Sequence, residues 1–156
     1  MNTVLQGSTT TILQSVKPDK TYTISMVRPE QCFMVWKKVR EWLAPAVERS
    51  HGRWTMEHLF AALCLGQQNL WIAYDAEGHI DGALTTQLVQ YPNNSMVACQ
   101  FLGGTNFDLW SSDMLDMIKH YAKDMGAQGV EAIARFGFWP FFKSEGFTRS
   151  YAVFEQ

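Results

Sequence analysis

"QFLGGTNFDLW", residues 100–110, passes from an apolar run through a glycine pair into residues that open a helix. A strand, a glycine turn and a helix N-terminus in succession make a phosphate cradle, because first-turn N–H groups lack internal partners and point outward. Two readings of the stretch stay open. Either Gly103 and Gly104 let a ligand approach the backbone, or they only permit a turn of positive φ.

Toward the C-terminus, Trp110, Met114, Ile118, Tyr121 and Met125 recur at helical spacing, and Leu115, Met117 and Ala122 widen the stripe. Asp113 and Asp116 lie early and Lys119 and Lys123 late, as the helix dipole prefers, and Gly126 ends the helix. "GVEAIAR" (129–135) then reads as a strand. A strand, a helix and a strand in one sheet make a right-handed crossover. Strands 96–102 and 129–135 are therefore expected to be parallel neighbours, with helix 108–125 across one face. "FWPFFKSEGF" (138–147) reads as a short helix and turn, and "TRSYAVFE" (148–155) as the last strand.

Toward the N-terminus the period is two. "NLWIAYD" (69–75), "IDGALTTQLVQ" (80–90) and "SMVACQFLG" (95–103) are strands joined by "AEGH" and "YPNN", connections short enough to force an antiparallel meander. Before them, Thr55 caps a helix "MEHLFAALCLG" that Gly66 stops. "SHGRW" separates it from an earlier helix opened by Pro29, with Phe33, Trp36, Val39, Leu43 and Val47 as its apolar stripe and Pro45 as a kink or restart. "TYTISMV" (21–27) is a strand. The order β-α-α-β-β-β-α-β-α-β predicts an α/β (α+β) sandwich with a mixed sheet. Residues 21–156 are read as a single domain, and residues 1–20, rich in Thr and Ser, as an extended or flexible N-terminal arm.

The chain has 156 residues, 47% of them apolar, and a net charge of -2 from 13 basic and 15 acidic residues, which fits one globular core. With no basic run, charge gives no support for nucleic acid as the main partner. No apolar run reaches membrane-spanning length, and the first 20 residues lack the basic and apolar regions of a secretory signal. Cys32, Cys64 and Cys99, odd in number and widely spaced, read as reduced and mostly buried thiols of a cytoplasm. His51, His58, His79 and His120 show no metal-ligand spacing, so no metal is expected.

The pieces "LAPAVERSHGRWTMEHLFAAL", "NLWIAYD", "CQFLGGTNFDLW" and "GVEAIARFGFWPFFKSEGF", together spanning about residues 36–147, resemble the GNAT fold, that of the Gcn5-related N-acetyltransferases, and most closely small GNAT-like proteins of tailed bacteriophages. The resemblance implies acetyl-CoA in the gap between the strand before the long helix and the next parallel strand. Its pantetheine would lie beside Phe101, Leu102 and Gly103, and its pyrophosphate on Gly104, Thr105 and the turn up to Trp110. It implies transfer of an acyl group to an amine, with a host-cytoplasmic or virion setting. Residues 1–20 are then the expected attachment to a second copy or to phage structural proteins.

Three departures from the enzyme pattern stand out. "GGTNFDLW" carries no Arg or Lys and places Asp108 where an anion would approach; Phe142 stands where a Tyr often donates a proton; Phe136 or Gly137 replaces a frequent Asn. A GNAT fold without catalysis, serving in a virion, in assembly or in binding a host protein, is therefore the second reading.

Each site candidate has two readings. Trp110 is a pocket floor or core. Glu131 is a general base or a solvated strand residue. Gln100 positions a water or makes a hydrogen bond at the edge of the core. Tyr151 replaces the missing phenol or packs. Glu48, Arg49, His51 and Arg53, in the polar stretch between the two early helices, recognise the acceptor or form an ordinary exposed loop.

Overall fold

Periodicity and caps place the elements where local chemistry requires them. The structure, a computed structural model, describes residues 20–156. The expected arm, apart from Lys20, lies outside the described residues. Strand β1 (Tyr22–Val27) leads through a short 3-10 turn opened by Pro29 into α1 (Cys32–Glu48), and α2 (Met56–Cys64) follows. The Thr55 hydroxyl caps α2 by accepting from the His58 N–H. Then come β2 (Asn69–Asp75), β3 (Ile80–Gln90), β4 (Ser95–Gly104), α3 (Phe107–Asp124), β5 (Gly129–Ala132) and, after a second 3-10 turn, α4 (Trp139–Ser144).

The sheet runs in chain order from β1 to β5, antiparallel as far as β4. The last pair is parallel, with Met96 opposite Gly129 and Cys99 opposite Ala132. The crossover expected from the helical connection is thus present, and the mixed sheet matches the expected fold class. Helices α1 and α2 cover one face, around Val39, Leu43, Leu59, Leu63, Ile72 and Phe101. Helix α3 covers the other, around Trp71, Val97, Cys99, Trp110, Met114 and Ile118.

Four expectations need correction. Residues 148–156 join no ladder: the alternation in "TRSYAVFE" is not one-sided burial, since every residue of the segment is exposed. Phe33 is 66% exposed, because the inward stripe of α1 starts one position earlier, at the buried Cys32. Met117 and Met125 lie on the exposed side of α3 or just past its end. Pro45 does not restart a helix. It sits inside α1, which continues to Arg49, whose N–H reaches the Pro45 carbonyl at 3.3 Å.

Two bulges interrupt the sheet. In β3 the register against β2 passes from Gly82 to Ile80, so Asp81 faces no partner there. In β4 the register against β3 passes from Phe101 to Cys99, leaving Gln100 as the extra residue. The second bulge inverts side-chain parity. Val97 and Cys99 face α3, whereas Phe101, two positions on, faces α1 and α2.

Candidate functional site

A gap opens in the sheet beside Gln100. Ladder pairing between β4 and β5 ends at Cys99 and Ala132, with one further bond from the Ile133 N–H to the Cys99 carbonyl at 3.1 Å. Beyond that point β4 continues alone. The Thr105 N–H donates to the Asp81 carbonyl at 2.7 Å, toward β3. Peptide groups alternate in direction along a strand, so those of Leu102 and Gly104 turn the opposite way, into the gap.

The glycine pair has work of its own. A Cβ on Gly103 would lie 1.8 Å from the Trp42 carbonyl oxygen, so α1 packs backbone to backbone against β4 there. Gly104 (φ 146°) and its ladder partner Gly82 form a shallow floor for Trp110: a Cβ on Gly82 would lie 2.3 Å from the indole. Trp110, 1% exposed, donates its ring N–H to the Thr105 carbonyl at 2.7 Å. Both backbone polar groups of Thr105 are thus used within the protein. The left-handed residue of the turn is Asn106 (φ 55°), which composition did not single out.

Carboxylates surround this helix start. Asp108 is in the first turn of α3. Asp81 accepts from the Tyr22 hydroxyl at 2.5 Å, from Lys20 Nζ at 3.1 Å and from Asn106 Nδ2 at 3.2 Å. Burial alone would push the Asp81 carboxyl up, but these three donors outweigh it and hold it below the usual carboxylate range. Asp75 is also held low, first by the His79 backbone N–H at 2.9 Å. The positive end of α3 therefore already faces protein anions. Phe107 closes the turn from outside, its ring 5.0 Å from that of Phe141 and 5.7 Å from that of Phe138. Between β4, α3 and α4 there remains a cavity of about 20 Å³, lined by Leu102, Phe107, Trp110 and Phe142 among other side chains.

On the opposite face the structure brings several candidates together. Val130 and Ala132 face α3, so Glu131 faces the side of α1 and α2. Its carboxylate accepts from the Tyr91 hydroxyl at 2.8 Å. That bond, with burial and the charge of Glu131, pushes the Tyr91 phenol up, and Tyr151 adds to the effect. Gln100 shares this face. Its Oε1 accepts from Gln68 at 2.6 Å and its Nε2 donates to Gln87 at 3.1 Å. Gln68 is 2% exposed, and its own carbonyl oxygen has no partner among the described residues.

The loop between α1 and α2 borders the same face. Left-handed His51 and Gly52 reverse the chain, and the Ser50 hydroxyl accepts from the Trp54 N–H at 3.1 Å. Trp54 sets its ring edge-on to Phe101 at 5.9 Å. Glu48 and Arg49 are exposed and point to no described partner of the cluster, whereas His51 and Arg53 hold the Glu155 carboxylate. Sequence reasoning missed Tyr91, Asp81, Tyr22 and Glu155. Their partners are 40 to 104 positions away, and no local pattern encodes such pairs.

Cys64 is an exposed thiol, while burial pushes Cys32 up to about 11 and Cys99 up to about 12. Among the described residues no group of three His, Cys, Asp or Glu could hold a metal ion, and no helix is long and apolar enough to cross a membrane.

No protein-family model and no curated protein matches this sequence. Solved structures match its fold. An aminoglycoside acetyltransferase from an uncultured soil metagenomic sample has a TM-score of 0.68 at 11% identity, covering 87% of this chain and 97% of its own. A GCN5-related N-acetyltransferase from Ralstonia eutropha has a TM-score of 0.64 at 10% identity, covering 87% and 98%. A Clostridium acetobutylicum protein described as a predicted acetyltransferase, solved with acetyl-CoA, has a TM-score of 0.61 at 12% identity, covering 87% and 96%. The fold is that of the GNAT acetyltransferases.

Proposed function

We propose that the chain is an N-acyltransferase that takes an acyl group from acyl-CoA, with acetyl-CoA as the simplest donor, and passes it to an amine. The observation that carries this reading is the gap beside β4, into which the peptide groups of Leu102 and Gly104 turn without a ladder partner. A pantetheine arm has two amides and fits such an edge as a further strand would. Acetyl-CoA supplies the activated thioester; the residues of this chain bind, orient and manage the proton.

The phosphate end of the donor falls on the first turn of α3. There the Thr105 N–H is already bonded and Asp108 repels an anion, so binding rests on the remaining backbone donors and is weak. Glu131 is the only carboxylate among the expected catalytic residues, and its bond from Tyr91 fixes its direction. It takes the amine proton, directly or through a water. An amide has no comparable basicity, so Gln100 positions that water. Phe142 cannot protonate the departing thiolate, which leaves water or Tyr151 for that step.

A second reading rests on how fully the protein fills its own cradle. The glycines receive Trp42 and Trp110, and the helix start is neutralised from within. A fold kept as a platform, docking phage or host proteins through residues 1–20, accounts for this. Melting with acetyl-CoA separates the two. Saturation at a hundredfold the Kd adds about 2.7 kcal/mol, a rise of about 5–11 °C for a chain of this size. No shift at millimolar acetyl-CoA would rule out the transferase.

A further inference from the structure

We infer that Arg53 and His51 form a carboxylate-binding site on the acceptor side of the gap, that Glu155 occupies it as an internal stand-in, and that the acceptor is an amine which also bears a carboxylate. The acceptor part rests on the transferase reading above.

The two oxygens of Glu155 are held separately. Arg53 Nη2 donates to Oε2 at 2.8 Å, and His51 Nδ1 lies 2.9 Å from Oε1. The loop that presents them is braced. The Arg53 N–H and its Nη1 both donate to the Ser50 carbonyl at 3.2 Å, and the next residue, Trp54, packs on Phe101 just past the bulge where the gap opens. The cationic pair therefore has a fixed position relative to the reacting edge of β4.

What it holds is loosely held. All three side chains are about half exposed or more, and exposed ion pairs are weak. Packing does not anchor the tail either: Tyr151, Val153 and Phe154 are exposed, Phe154 by 91%. An external carboxylate can take the place of Glu155 at small cost. The same cations disfavour a polycationic acceptor such as an aminoglycoside, so this chain and its aminoglycoside-modifying neighbours differ in the charge they select.

The test titrates 15N-labelled full chain with N-acetylglycine, and with N-acetylglycinamide as its neutral twin, without acyl-CoA. The backbone amides of residues 50–54 are followed in the parent, in Glu155→Gln, and in Glu155→Gln combined with Arg53→Gln. The carboxylate should shift these amides saturably, with a midpoint about threefold to tenfold lower in Glu155→Gln than in the parent. The neutral twin should not shift them, and Arg53→Gln should remove the response. A response that is absent in Glu155→Gln, equal for both probes, or indifferent to Arg53→Gln overturns the site. Acetyl-CoA binding is measured separately on the same samples. Its absence overturns the transferase reading, and with it the acceptor assignment, while leaving the carboxylate site standing.

Discussion

Replacing Gly103 with alanine tests whether the glycine pair serves packing or a ligand. The added methyl would start 1.8 Å from the Trp42 carbonyl oxygen and 2.6 Å from its carbon, both main-chain atoms of α1. Side-chain rotation cannot relieve that overlap. Reaching the 3.0 Å below which Cβ atoms essentially never sit means parting helix and strand by at least about 1.2 Å. Overpacking typically costs 1–3 kcal/mol, and a collision between two backbones belongs at the upper end, about 3 kcal/mol. For a chain of this length that lowers Tm by about 6–12 °C. Gly137→Ala is the control. Its Cβ would meet nothing within 4 Å and its φ is not left-handed, so its Tm should stay level or rise slightly. Differential scanning calorimetry reads both. A Gly103→Ala protein as stable as the parent would refute the packing argument; if it also lost acetyl-CoA affinity, the glycine would belong to the ligand instead.

Acid should unfold the parent partly through Asp81. Its folded pKa is depressed, so its contribution is complete above the unfolded carboxylate value of about 3.9 and is lost as pH falls through the lower folded value. Asp81→Asn should therefore flatten the fall of Tm on acidification; an unchanged slope would remove Asp81 from the account. Trp110→Ala should cost about 3–5 kcal/mol in urea unfolding, and Gly82→Ala should be less harmful in a Trp110→Phe background than alone, because the indole it strikes is gone. Asp108→Arg should make inorganic pyrophosphate raise Tm in a salt-sensitive way where the parent shows no rise, and a parent that binds acetyl-CoA at micromolar concentration would show that backbone donors suffice.

Signals that act over a few residues were legible in the sequence. The Thr55 cap, the Pro29 start, the meander turns and the crossover that makes β4 and β5 parallel were all read from spacing and turn chemistry. What stayed hidden depends on distant partners. Residues 148–155 alternate as a strand does, but a strand also needs an edge to pair with, and β5 is only four residues long. The bulges leave no mark in composition, although they aim Asp81 at the α3 start and put Gln100 on the open face. Gly103 and Gly104 were visible as special positions. Only the approach of Trp42 and Trp110 shows which neighbours made them so.

The extra residue in β4 works as a frameshift in space. Before Gln100 the odd positions Val97 and Cys99 serve the α3 side; after it, the even positions Leu102 and Gly104 do. A positional tolerance scan along β4 should therefore show a two-residue rhythm whose phase flips at 100. Excising Gln100 would make the ladder to β3 regular and the rhythm unbroken, but it would turn Phe101 into the space of Trp110 and Leu102 toward α1. One deleted residue at the bulge should thus be worse tolerated than most substitutions around it, since it exchanges the inner and outer surfaces of everything downstream in the strand.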